Sequence, residues 1–69
     1  MKYIVIELQT AANGSVANIV TSHDTREQAE SKYHTILAAA AVSSVPCHAA
    51  VIVDSEGGFI GARCYQHGE

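Results

Sequence analysis

The sequence predicts an α+β fold in which one helix packs on a four-stranded antiparallel sheet, in the chain order ββαββ. Three observations predict it: apolar residues alternate with polar ones near both ends of the chain, one amphipathic helical stretch lies between them, and glycine-containing turns separate the strands. We expect the 69 residues to form a single domain, residues 1–69, without a linker or an internal repeat.

The first two strands are predicted at residues 2–9 and 16–21. In residues 2–9, the apolar side chains of Ile4, Ile6 and Leu8 recur at every second position, as in a half-buried strand. Asn13-Gly14 is typical of a two-residue hairpin turn. That turn would place Leu8 opposite Ile19 and Ile6 opposite Thr21. It would also gather one wall of the core, formed by Ile4, Ile6, Leu8, Ala17 and Ile19.

The helix is predicted to begin at Asp24 and to end near Ser43. Asp24 can accept hydrogen bonds from the first free backbone amides, and Glu27 can reach back to the cap. Pro46 marks a point by which the helix must have ended. The predicted buried stripe consists of Ala29, Tyr33, Ile36, Leu37 and Ala40.

The last two strands are predicted at residues 47–54 and 59–66, around a turn at residues 55–58. Since the first and third strands are the most apolar, we place them at the centre and predict the strand order 2-1-3-4. The helix would then pack against Ile4, Ile6, Leu8, Val51, Val53 and Ile60. The opposite, outer face would carry an apolar patch of Tyr3, Val5, Ile52, Phe59 and Tyr65, flanked by His48 and Arg63.

Composition and charge limit the function. A chain of this length buries only about 60% of the surface that it exposes when unfolded, and its apolar residues are mostly small, so the core is thin. The net charge is −3 and the four basic residues are scattered, which argues against nucleic acid as a partner. No segment has the length of a signal-peptide core or a membrane span. We expect a location in the bacterial cytoplasm, with reduced cysteines.

Four residues are of the types that bind zinc and lie on neighbouring predicted strands: Cys47, His48, Cys64 and His67. In the predicted register, Cys47 and Cys64 point to the helix side of the sheet and the two histidines to the other side, so one tetrahedral centre cannot collect them. The cysteines lie diagonally across the strand pair, where a disulfide is unfavourable. We therefore predict two free thiols, without a metal or other cofactor.

No catalytic motif is present in the sequence. The chain lacks a Gly-x-Ser-x-Gly elbow, and Gly57-Gly58 precedes a strand rather than the helix that a phosphate-binding loop requires. Glu30 and His34 lie one helical turn apart, which is compatible with a pH-sensitive hydrogen bond, a weak binding site or an ordinary exposed pair. We expect a protein that is not an enzyme.

The run from Glu30 to Ser43, ESKYHTILAAAAVS, resembles a group of small uncharacterised proteins encoded by bacterial prophages and phages. The likeness extends to the opening segment 3–7, to Pro46 and His48, and to the closing segment 64–67, so it covers nearly the whole chain. It implies a phage-associated context. A weaker similarity, in segments 1–3 and 23–29, is to the N-terminal part of HicB-type antitoxins, although those proteins have a strand and a Pro-containing segment before the helix.

These observations favour an oligomeric phage or prophage accessory protein that binds another protein, either a virion component or a host factor. We expect at least a dimer. Its contact would be formed by Ala38, Ala41 and Val42 of the helix, or alternatively by Ile52, Phe59 and Tyr65 of the outer sheet face. The second interpretation is a counter-defence protein that binds a small nucleotide-type ligand through Lys2, His48 and Arg63. An enzyme of unknown reaction is the least favoured interpretation.

Overall fold

The computed structural model describes residues 1–67; residues 68 and 69 of the predicted domain lie outside the described part. The elements are β1 (Tyr3–Thr10), β2 (Val16–His23), α1 (Arg26–Ala41), β3 (Cys47–Asp54) and β4 (Phe59–Gln66). The strands form one sheet in the order β2-β1-β3-β4, antiparallel throughout. The predicted fold class and strand order are therefore confirmed. No helix within residues 1–67 is long and apolar enough to cross a membrane.

The β1–β2 connection differs from the predicted two-residue turn. It is a five-residue loop, closed by the amide of Ala11 donating to the carbonyl of Ser15. Gly14 takes a φ of +88°, but Asn13 does not have the positive φ that the predicted turn needs, because its side chain instead accepts hydrogen bonds from Ser15. The register moves by one residue as a result.

The shifted register corrects the predicted wall of the core. Leu8 lies opposite Asn18 rather than Ile19, and Ile6 lies opposite Val20 rather than Thr21. Since successive residues of a strand point to opposite faces, a shift of one residue exchanges the faces of β2 relative to β1. Ala17 and Ile19 therefore do not share a face with Ile4, Ile6 and Leu8.

The N-cap lies one residue later than predicted, and the helix ends two residues earlier. Thr25, not Asp24, is the N-cap, and its side chain accepts a hydrogen bond from the amide of Gln28. Asp24 instead forms an ion pair with Lys2. At the other end, Val42 leaves the helical conformation; its amide donates to the carbonyl of Ala39, and the amide of Ser43 donates to the carbonyl of Ala40. The predicted buried stripe is confirmed, with Tyr33 at its margin.

Helix α1 covers the face of the sheet opposite to the predicted one. The core beneath it contains Val5, Ala50 and Ile52, whereas Ile4, Ile6, Leu8, Val51 and Val53 lie on the uncovered face. Of the predicted helix contacts, Ile60 does pack against the core.

Chain connectivity is a constraint on which face the helix can cover. Strands β2 and β3 are parallel to each other, because each is antiparallel to β1, and α1 joins them across β1. Such crossovers are right-handed in nearly all proteins, and the hand determines which face the helix covers. The prediction assigned the covered face from the hairpin registers and did not use this rule.

The β3–β4 hairpin has the predicted strands and turn, with one irregularity. Gly57 adopts a φ of +87° in the turn, and the amide of Asp54 donates to the carbonyl of Gly58. A β-bulge between Ile52 and Val53 leaves Ile60 without a direct partner. Ile60 can therefore pack against the core while Phe59, opposite Val53, lies on the uncovered face.

Candidate functional site

The most extensive candidate site is the sheet face that α1 does not cover, which we call the open face. Strand alternation and the register assign four side chains of each strand to it. They are Ile4, Ile6, Leu8 and Thr10 of β1, Val16, Asn18, Val20 and Ser22 of β2, Cys47, Ala49, Val51 and Val53 of β3, and Phe59, Ala62, Cys64 and Gln66 of β4.

The open face is apolar and, within the four described strands, it carries no charged residue. Its polar members are neutral and lie near the ends of strands or on the edge strands. Phe59 is 70% exposed and Val20 57% exposed. The ionisable strand residues Glu7, Asp54 and Arg63 belong to the other face. A continuous apolar surface of this kind is typical of a contact with another macromolecule.

The predicted outer patch is corrected by this arrangement. Ile52 is buried beneath α1, and Tyr65 is half-buried against the same core. Tyr3 and Val5 also belong to the covered face, because the prediction had exchanged the two faces. Phe59 alone of the patch lies on the open face.

The exposed end of α1 is a second, smaller apolar surface. Ala38 and Ala41 are exposed, and Val42 is 86% exposed. The structure thus places these predicted interface residues at the surface. Glu30, which was considered as a partner of His34, forms an ion pair with Arg26 instead.

A polar cluster lies beneath α1 between the two central strands. The carboxylate of Glu7 accepts a hydrogen bond from Nε2 of His48, with 2.6 Å between the nitrogen and Oε2. The side-chain amide of Gln9 donates to the same Oε2 at 3.0 Å. The hydrogen bond with His48 lowers the pKa of Glu7, partly opposed by burial.

His48 is 5% exposed, and its second ring nitrogen, Nδ1, has no hydrogen-bond partner among the described residues. A carboxylate can only accept, so Nε2 carries the proton shared with Glu7. The cluster can therefore link β1 to β3 electrostatically. Because the side chains of Glu7 and His48 have little exposure to solvent, we interpret the cluster as an internal structural contact.

The three predicted ligand contacts do not converge on one site. Lys2 forms an ion pair with Asp24, and this pair lowers the pKa of Asp24. His48 is engaged by Glu7, while the guanidinium of Arg63 lies 5.0 Å from the centre of the Tyr65 ring. The geometry therefore provides no cationic pocket formed by Lys2, His48 and Arg63 together.

A small cavity lies at the loop end of the sheet. Its volume is about 240 Å³, below the usual range for ligand pockets. Gln9 connects it with the Glu7–His48 cluster, and the other lining residues are small and uncharged. They are Ala11, Ala12, Ser15, Ala17, Val45 and Pro46.

The cysteines lie on the open face. Cys47 and Cys64 are free thiols with 2.9 Å between their Sγ atoms, so the diagonal placement was predicted but the close contact was not. Their hydrogen bond, together with burial, raises the pKa of Cys64. The predicted separation of the thiols from His48 is confirmed, although the thiols point away from the helix rather than towards it.

Residues 1–67 contain no group of three or more side chains placed to hold a metal ion. The ring of His67 contacts the carbonyl of Ala40, with 2.7 Å between Nε2 and the oxygen. It lies at the C-terminal end of the helix, where it helps to satisfy a terminal carbonyl.

Neither the partial burial of Glu7 nor the open face was predicted from the sequence. The signal for Glu7 was a lone carboxylate in an apolar strand, with His48 available on a neighbouring strand. The signal for the open face was the excess of aliphatic residues on both faces of β1 and β3. The chain matches no protein-family model, no curated protein and no solved structure with which it was compared.

Proposed function

We propose that the protein is a small homo-oligomeric accessory protein of a phage or prophage and that it acts by binding another protein, either a virion component or a host factor. The observation that carries this proposal is the open face. It is broad, largely apolar and uncharged, which suits a protein contact and provides no charged group to orient a small anionic ligand. The phage context comes from the resemblance of the helix and of both ends of the chain to small proteins encoded by bacterial prophages and phages.

The polar groups support a binding role rather than a catalytic one. Glu7 accepts hydrogen bonds from Gln9 and His48 beneath the helix, and Lys2 and Asp24 pair at the surface. Catalysis requires an acid, a base or a nucleophile that can reach a substrate. In residues 1–67, the titratable groups that lie together are instead used to hold strands and helix in place.

Size measurement in a cell extract tests the proposal. The tagged chain would be expressed in bacteria that carry the phage or prophage, and the extract separated by size exclusion. We expect wild-type protein to elute above the monomer mass, as an oligomer or in a complex of fixed stoichiometry. Val51→Lys, which places a charge on the open face, should elute as monomer.

The matched control is Ala50→Ser, a small change on the covered face of the same strand, which should elute as wild type does. Elution of the wild-type chain as a free monomer, both from the extract and after purification, would contradict the proposal.

A further inference from the structure

We propose that the occupant of the open face is a second copy of this chain, so that two sheets pack face to face between two outer helices. This inference rests on the homo-oligomeric part of the proposed function, because it assigns the open face to the contact between two copies and leaves the contact with another protein to the remaining surface. The resulting dimer would have four layers, in the order helix, sheet, sheet, helix.

The composition of the core is the first argument for a second copy. The buried apolar residues include three alanines, Ala29, Ala40 and Ala50, whereas the larger aliphatic side chains Ile4, Ile6, Leu8, Val51 and Val53 remain on the open face. Small domains with thin cores often depend on oligomerisation. A partner needed for stability must be present whenever the chain folds, and another copy of the chain meets that condition.

The dimensions of the chain are the second argument for a second copy on the open face. The two longest dimensions of the chain are 38 and 20 Å. A rectangle of these dimensions encloses about 760 Å², which is of the same order as the roughly 800 Å² that each partner contributes to a stable interface. Two identical sheets also have the same twist, which allows their strands to pack nearly aligned about 10 Å apart.

Charge is the third argument. The chain has a net charge of −3, so two copies repel each other unless they meet through a neutral surface. A two-fold axis brings the same patch of each copy together, and any charge near the axis would face its own copy. The open face meets this requirement, because its strand residues are all uncharged.

Two neighbouring residues of β2 provide a matched pair of variants. Val20 and Ile19 are 57% and 53% exposed, but they point to opposite faces of the sheet. Val20→Lys therefore places a charge on the open face, and Ile19→Lys makes a similar change on the helix side. Because both sites are largely exposed, both variants should fold, and circular dichroism would verify this.

We expect light scattering at micromolar concentration to show dimers for wild type and Ile19→Lys and a monomer for Val20→Lys. Ala38→Glu, at the exposed end of α1, should remain a dimer. The rate of alkylation of Cys64 by iodoacetamide is the second measurement. Cys64 lies on the open face and is exposed in the isolated chain, so a second copy on that face would cover it. Alkylation should be about tenfold slower in wild type than in Val20→Lys, because only dissociated protein reacts.

The outcomes separate this inference from the proposed function. A dimer that survives Val20→Lys and dissociates with Ala38→Glu, with Cys64 equally reactive in both proteins, would overturn the inference and leave an oligomer formed through the helix. A purified monomer whose Cys64 is protected only by a protein co-purified from phage-carrying cells would overturn it as well. That last result would still support a protein-binding function.

Discussion

Glu7 and His48 meet beneath α1, where the carboxylate of one central strand accepts a hydrogen bond from the imidazole of the other over 2.6 Å. The contact lies in the same layer as the apolar core, with Gln9 as its second donor. A buried carboxylate stabilises a fold only while its hydrogen bonds are made. The stability of the sheet should therefore depend on the charge of Glu7.

We predict that Glu7→Gln removes part of the acid sensitivity of the protein. The hydrogen bond with His48 lowers the pKa of Glu7 from its ordinary value of 4.5. The stabilisation is therefore complete above about pH 4.5 and is lost as the pH falls through the lower pKa of the folded state. Urea midpoints should fall less between about pH 5 and pH 3 in the variant than in wild type.

The Glu56→Gln variant, at an exposed position in the turn between β3 and β4, serves as the control and should keep the wild-type acid dependence. At neutral pH, Glu7→Gln should itself be less stable by about 1 to 3 kcal/mol, since a hydrogen bond to a charged group is weakened. Identical acid profiles for Glu7→Gln and wild type would contradict the assigned role of the pair.

We predict that Ile52→Ala and Ile4→Ala have different effects when both are made in the Val20→Lys background. Ile52 is almost fully buried beneath α1, so its truncation should cost about 2 to 5 kcal/mol in the free energy of unfolding. Ile4 is half-buried on the open face, so its truncation should lower the free energy of unfolding by less. Urea unfolding would measure both, and a larger loss for Ile4→Ala would show that the faces are assigned incorrectly.

The turn between β3 and β4 provides a local test. Gly57 has a φ of +87°, which a residue with a Cβ adopts at a cost, so Gly57→Ala should destabilise the protein by about 1 kcal/mol. Glu56→Ala, at the neighbouring exposed position, should change stability by less than about 0.5 kcal/mol. Thermal unfolding of the two variants would compare them; equal melting temperatures would argue against the turn geometry.

The thiol pair should be reduced and free of metal in the purified protein. Alkylation under denaturing, non-reducing conditions should give two adducts in the intact mass, one each at Cys47 and Cys64. Elemental analysis should find no stoichiometric zinc, because His48 lies on the other face of the sheet. A mass lower by two hydrogens, without adducts, would instead reveal a disulfide between the contacting sulfur atoms.

The sequence was sufficient to predict the strands, the helix and the strand order, because alternation, capping residues and glycine turns are local signals. It was not sufficient to choose the covered face. Val5 and Ile52 are as apolar as Ile6 and Val51, so hydrophobicity could not decide which pair lies beneath the helix. The handedness of the β2-α1-β3 crossover could have decided it, but that rule needs the correct register.

The register error came from one side chain. Asn13-Gly14 is compatible with a two-residue turn, yet the Asn13 side chain bonds to Ser15 and lengthens the loop. The Glu7–His48 contact was also hard to predict, because it joins residues that are distant in the sequence. A carboxylate such as Glu7 is normally assigned to solvent, and its burial becomes reasonable only when His48 of a distant segment lies beside it.

The central position of β1 has a consequence for synthesis on the ribosome. β1 is made first and its partner β2 follows after a short loop, but the other hydrogen-bonding edge of β1 belongs to β3, which follows only after the whole of α1. Until β3 emerges, that edge can accept a strand from another nascent chain.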